Sequence, residues 1–189
     1  MAIRKYASDY RLDQHIHPSG KPETVRVYQG PLFDFCAPKE VLRVLRNRIL
    51  FGAALVIIGL LPLLFNNTWI GRTFYVVLPM AFTLIPWCRM IAAAWRLTEL
   101  KCPLTREQKD KTDVRLRTST CWLAGLLALT LAGCIVYGFR AGFAAGEWVC
   151  LAGLVLSMLA SAYLLTLRDK AKTKQRETAP QETQQQETE

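Results

Sequence analysis

The sequence predicts a mainly α fold: a polytopic four-helix transmembrane bundle with a small N-terminal cytoplasmic β-hairpin and a disordered C-terminal tail. Three observations predict it. Hydrophobic residues make up 51% of the 189 positions and crowd between Arg48 and Arg168. The net charge of +9 comes from lysines and arginines gathered in three separate segments. The residues before position 37 alternate apolar with polar around a Pro- and Gly-rich turn. A soluble globule spreads charge along its whole length and a disordered chain lacks long apolar runs, so both classes are excluded.

A membrane-crossing helix needs about 20 mainly apolar residues. Residues 49–71 carry no charge, nor do 118–139 or 148–167. These give spans at about 49–70, 119–139 and 147–168. The fourth stretch, 73–88, holds only 16 uncharged residues before Arg89. Continued to Trp95 it reaches 23 residues, which gives a span at 73–95 with Arg89 inside it. In that position the long arginine is expected to snorkel to the headgroups as an interface anchor rather than act as a functional buried cation.

An even number of spans puts both termini on one side, and basic residues choose the side. Nine lie in residues 1–48, seven in 96–117 and five from Arg168 onward, while the opposite loops hold only Arg72 and Arg140. By the positive-inside rule the termini and the 96–118 loop face the cytoplasm of a bacterial inner membrane. Trp69 and Trp148 then sit at the outer ends of spans, and Trp95 and Trp122 at the inner ends, as expected of aromatic belts. The polar N-terminal stretch gives the expectation of no cleaved signal peptide, with span one an uncleaved segment.

The cytoplasmic parts follow in chain order. Residues 1–37 hold the hairpin, with Tyr10, Leu12 and Ile16 alternating on one strand and Val25 and Val27 on the other around HPSGKP. A lone hairpin is marginal in water, so it should lean on the central loop or the membrane surface. Residues 38–48 predict an amphipathic juxtamembrane helix lying in the headgroup layer. Leu42 and Leu45 are on its apolar side, and Arg43, Arg46 and Arg48 are candidate lipid contacts. In the central loop, Thr105 and Gln108 have the spacing of a helix capping box. Residues 169–189 are polar and low in complexity, which predicts disorder.

The chemistry-bearing residues do not form a known catalytic set. His15 and His17 share a strand face and with Cys36 or Asp34 offer too few ligands at specific spacing for a metal site. Cys134 and Cys150 fall at outer depths where a disulfide is geometrically conceivable, but buried thiols are the preferred state. No Ser-His-Asp set, HExxH, paired carboxylates or phosphate loop is present, so neither catalytic residues nor cofactors are expected. Pro62, Pro79 and Pro86 interrupt the helical hydrogen bonding of spans one and two, for which tolerated kinks in a packed bundle are the simpler explanation. Gly153, Ser157 and Ser161 recur every four residues and form a stripe that lets two backbones approach. Gly138, Gly142 and Gly146 repeat the spacing at the outer turn.

Three passages, TVRVYQGPLFDF, RTFYVVLP and LTREQKDKTDVRLRTS, resemble a group of small bacterial four-span membrane proteins that carry no assigned function. The resemblance implies the topology and brings no activity or ligand.

The function expected from these residues is that of a non-enzymatic accessory or scaffold protein. Its basic cytoplasmic surface would meet the lipid bilayer, anionic lipids in particular, or a membrane-protein partner or a second copy of itself. The alternative is a small oligomeric transporter or channel subunit. Nucleic acid is rejected as a partner, because the basic residues are spread over separate juxtamembrane segments with no nucleic-acid-binding signature.

Overall fold

The computed structural model describes residues 6–16, 22–35, 37–65, 70–100, 102–171 and 173–175. Four helices dominate: α1 (Lys39–Phe65), α2 (Phe74–Glu99), α3 (Arg106–Ala141) and α4 (Ala145–Arg168). Each is long and apolar enough to cross a membrane. They run alternately up and down. α1 packs most extensively on α4 and α2 on α3, and the α1–α2 and α3–α4 contacts close the bundle.

The inward face of each helix repeats with alternating steps of three and four residues. On α1 the buried residues in this rhythm are Leu42, Leu45, Ile49, Gly52, Val56, Gly59 and Leu63, with Ala53 and Leu60 buried beside them. On α2 they are Val76, Pro79, Thr83, Pro86, Met90, Ala93 and Leu97, with Met80 and Ala94 beside them. α3 buries Leu116, Thr120, Leu123, Leu127, Thr130 and Cys134 in the same rhythm, and α4 buries Glu147, Cys150, Leu154, Ser157, Ser161 and Leu164. A seven-residue repeat keeps one seam facing its neighbours along the whole helix, as in left-handed bundles. The outward faces are also apolar: Phe51, Phe65, Phe74, Phe82 and Phe139 are all exposed. Helices apolar all round do not suit an aqueous surround, where such patches aggregate.

The small residues set the closest approach. A Cβ on Gly59 of α1 would lie 2.4 Å from the Gly153 carbonyl oxygen of α4, so only glycine fits at that crossing. Beside it the Ser157 hydroxyl donates to the Val56 carbonyl at 2.9 Å. The predicted stripe is therefore internal to the chain at Gly153 and Ser157. Ser161 is buried as well, and its hydroxyl bonds within α4 to Met158 O at 2.8 Å. Trp87 of α2 donates its indole N–H to Ala53 O of α1 at 3.0 Å.

The remaining elements gather at one end. β1 (Tyr10–Ile16) pairs antiparallel with β2 (Pro22–Tyr28), from Tyr10 opposite Tyr28 to Ile16 opposite Pro22. β3 (Phe33–Phe35) pairs with β4 (Thr173–Gln175) and also bridges to Leu104.

Several boundaries differ from expectation. The amphipathic 38–48 segment is not a separate in-plane helix. It is continuous with α1 as its first turns, with Leu42, Leu45 and Ile49 buried in the bundle and Val41 and Val44 exposed. The 96–118 loop is mostly helical. α2 runs to Glu99, and α3 starts at Arg106 and passes through a π-helical stretch, Asp110–Val114. The tail is ordered over 169–171 and 173–175, because β4 satisfies its backbone on β3. The glycines between α3 and α4 build a turn: Gly138 and Gly142 close the end of α3. Gly142 has φ +76°, and its N–H bonds to Gly138 O at 2.9 Å, the left-handed ending that favours glycine. Gly138 leaves space for the Phe143 ring.

Candidate functional site

The strand-bearing end is assembled from three distant parts of the chain around the start of α3. Thr105 caps this helix: its hydroxyl accepts from Gln108 N–H at 3.3 Å and the Gln108 side chain accepts from Thr105 N–H at 3.0 Å, the predicted capping box. The Tyr28 hydroxyl at the end of β2 accepts from Arg106 N–H at 2.9 Å and donates to Pro31 O at 3.0 Å. Tyr6 donates to Asp110 at 2.8 Å, and Asp9 lies 3.9 Å from the Arg106 guanidinium. The hairpin thus leans on the central segment. Phe33 and Leu104 exchange backbone hydrogen bonds of 2.9 and 2.7 Å, and Lys109 stands 3.9 Å over the Phe33 ring.

Asp113, in the π-helical stretch, ties the C-terminal strand to this assembly. Its carboxylate is buried and accepts from the Thr173 hydroxyl at 3.0 Å, while Arg117 donates to its other oxygen at 2.7 Å. A π-bulge widens the helix by one residue per turn and re-aims the side chains around it. Here it accompanies an acid that serves both the helix and the strand.

Beside this assembly lies a cavity of about 340 Å³ between the first turns of α1 and the last turns of α2. Lys39, Arg43 and Arg46 line it, against one acid, Glu40. Arg46 is held in place: it donates to the Thr98 hydroxyl at 2.9 Å and its guanidinium lies 5.3 Å from the centre of the Trp95 ring. A cation fixed by a hydrogen bond and an aromatic face loses less side-chain entropy on meeting an anion than a free one does. Arg43 is exposed and can complete a two-pronged contact. Arg48 is exposed outside the cavity.

The other predicted residues are dispersed. Trp95 and Trp148 are exposed near helix ends and Trp122 is exposed well inside α3, with the Trp148 and Phe143 rings tilted at 45° and their centres 5.1 Å apart. Trp69, His17 and Cys36 lie outside the described residues, as does the side chain of His15. Cys134 and Cys150 are buried thiols, and the Cys150 sulfur lies 3.4 Å from Pro62 O. Arg89 is exposed on α2 and, with Trp122, lines a groove against α3. Glu147 is buried at the start of α4 and accepts from Ala144 N–H at 3.0 Å, which makes it a helix cap.

Sequence reasoning missed Lys39, Thr98 and Asp113. Lys39 was legible as a fourth cation in the 39–48 run. Thr98 and Asp113 gave no sequence signal, since their roles depend on which helices meet. The chain matches no family model, no curated protein and no solved structure.

Proposed function

We propose that the protein is a non-enzymatic multi-pass protein of a bacterial inner membrane, with both termini cytoplasmic. It acts as an accessory protein whose basic cytoplasmic end engages anionic lipid headgroups and so holds a docking surface at the membrane. The observation that carries this reading is the convergence of Lys39, Arg43 and Arg46 on one cavity at the bundle end that also carries the strands. In this orientation the cavity opens at inner headgroup depth. Basic residues near an anionic leaflet each contribute about 1 kcal/mol. The transporter alternative has less support, because the inward faces are filled by Leu, Val and Met, and the hydroxyls of Thr120, Thr130 and Ser161 bond to their own helices.

The test is reconstitution into nanodiscs of zwitterionic lipid with increasing anionic phospholipid, followed by thermal unfolding. The anionic lipid should raise the melting temperature of the wild type and raise it less for a Lys39→Ala/Arg43→Ala double variant. Equal shifts in the two proteins would remove the cavity from the account.

A further inference from the structure

A second cavity, distinct from the basic one, opens between α2 and α3. It has a volume of about 370 Å³, within the range of small-molecule sites. Its lining is sorted by polarity along the helix axes. Arg89, Thr118 and Ser119 form the end nearer the strands. Phe82, Ile85, Trp122 and Leu126 form the rest, with Pro86 on the wall between them. Phe82 is seven residues before Arg89 and Leu126 is seven after Ser119. At the helical rise, each lies about 10 Å deeper toward the middle of the bundle than its polar counterpart.

Two observations at the polar end point to a ligand. Ser119 is 2% exposed, yet its hydroxyl has no hydrogen-bond partner among the described residues. The nearby Thr120 and Thr130 hydroxyls of the same helix bond back to carbonyls one turn earlier. An unsatisfied buried hydroxyl is costly and calls for a partner from outside the chain. Arg89 is exposed and has no acidic partner among the described residues. A guanidinium at this depth, within reach of the headgroups and without a carboxylate, favours a phosphate.

The geometry points to one anionic glycerophospholipid of the inner leaflet as the occupant. Its phosphate pairs with Arg89, with Thr118 beside it. Its glycerol-ester carbonyl accepts from the Ser119 hydroxyl, and one acyl chain runs down Phe82, Ile85, Trp122 and Leu126. The polar-to-apolar order of the groove matches the order of groups in such a lipid entering from the strand-bearing side. The assignment shares with the proposed function only the membrane orientation and uses none of the residues of the basic cavity. A hydrophobic seam for a second copy of the chain is the competing occupant. It would need neither the arginine nor the serine.

The experiment is native mass spectrometry of the full chain released from nanodiscs containing equal amounts of phosphatidylglycerol and phosphatidylcholine. It compares wild type, Arg89→Gln, Arg89→Lys, Ser119→Ala and the Lys39→Ala/Arg43→Ala variant, with melting temperature recorded in lipid-free detergent. The wild type should retain phosphatidylglycerol over phosphatidylcholine. Retention should fall about tenfold or more in Arg89→Gln, be partly restored in Arg89→Lys and fall about fivefold in Ser119→Ala. Ser119→Ala should leave the lipid-free melting temperature unchanged or higher, because it removes an unpaired buried group. The Lys39→Ala/Arg43→Ala variant should keep its groove lipid, so failure at the surface cavity is separable from failure here. Equal retention of the two lipids, retention that ignores Arg89 and Ser119, or a dimer that forms equally in all variants would overturn the assignment. So would a lipid-free loss of stability in Ser119→Ala, because it would reveal a partner within the chain.

Discussion

The Ser157 hydroxyl of α4 donates to the Val56 carbonyl of α1 at 2.9 Å, across a crossing where a Cβ on Gly59 would meet the Ser157 oxygen at 2.3 Å. The two helices are as close as their backbones permit, and serine and glycine make that possible. This hydrogen bond and the close packing around it join α1 to α4.

Gly59→Ala should therefore destabilise the bundle by about 1–3 kcal/mol through overpacking against the Gly153 backbone. Chemical unfolding in mixed micelles measures it. Gly125→Ala is the control, since a Cβ there meets nothing within 4 Å and should leave stability unchanged or slightly higher. Equal effects at the two positions would contradict the close approach.

Ser157→Ala removes the hydrogen bond while keeping the small volume. Interhelical hydrogen bonds in membrane proteins average about 0.6 kcal/mol, and a loss near that size is expected. A loss as large as that of Gly59→Ala would mean that hydrogen bonding rather than packing dominates the crossing.

Asp113→Ala should release the C-terminal strand. The carboxylate holds Thr173 and Arg117, and hydrogen bonds to a charged group are worth about 1.5–3 kcal/mol. Limited trypsin digestion should then cut after Lys174 about ten times faster or more, with the four helices intact. An unchanged rate would show that β4 is held by its pairing with β3 alone.

Arg46→Ala should weaken anionic-lipid binding about fivefold, the equivalent of one cation at the leaflet. Arg46→Lys keeps the charge and loses the planar stack on Trp95, so it should fall between the two. Lipid titration in nanodiscs reads both, and equal affinities in all three proteins would exclude Arg46 from the site.

The four apolar helices are legible because each contains a long uncharged run of the length a span needs, and the Thr105 cap is legible because its two partners are three residues apart. The inward faces are not. With leucine and phenylalanine on every side of a helix, hydrophobicity does not mark the seam. Small and hydroxyl residues mark it better: the stripe through Ser157 is legible in the sequence of α4, and Thr83 and Thr130 are buried in the same way. The continuity of the 38–48 segment with α1 is hidden for the same reason. Its apolar stripe fits a membrane surface and a bundle seam equally well, and only the position of α2 and α4 decides. The ordered 173–175 strand was illegible because its pairing partner, Phe33–Phe35, lies about 140 residues away, and nothing local in TKQ announces a strand. Ser119 of the α2–α3 groove looked like any other serine at the start of a span, since its lack of a partner is a tertiary property.

The central claim is that the strand-bearing, basic end of the bundle faces the cytoplasm. It is tested most directly by membrane-impermeant maleimide labelling of single-cysteine chains in right-side-out and inverted vesicles. One chain keeps Cys102, which is exposed at that end, and the other carries Ala141→Cys at the opposite end of α3. The account predicts that Cys102 labels only in inverted vesicles and position 141 only in right-side-out vesicles. Labelling of Cys102 from the outside, or of both positions from the same side, would contradict it.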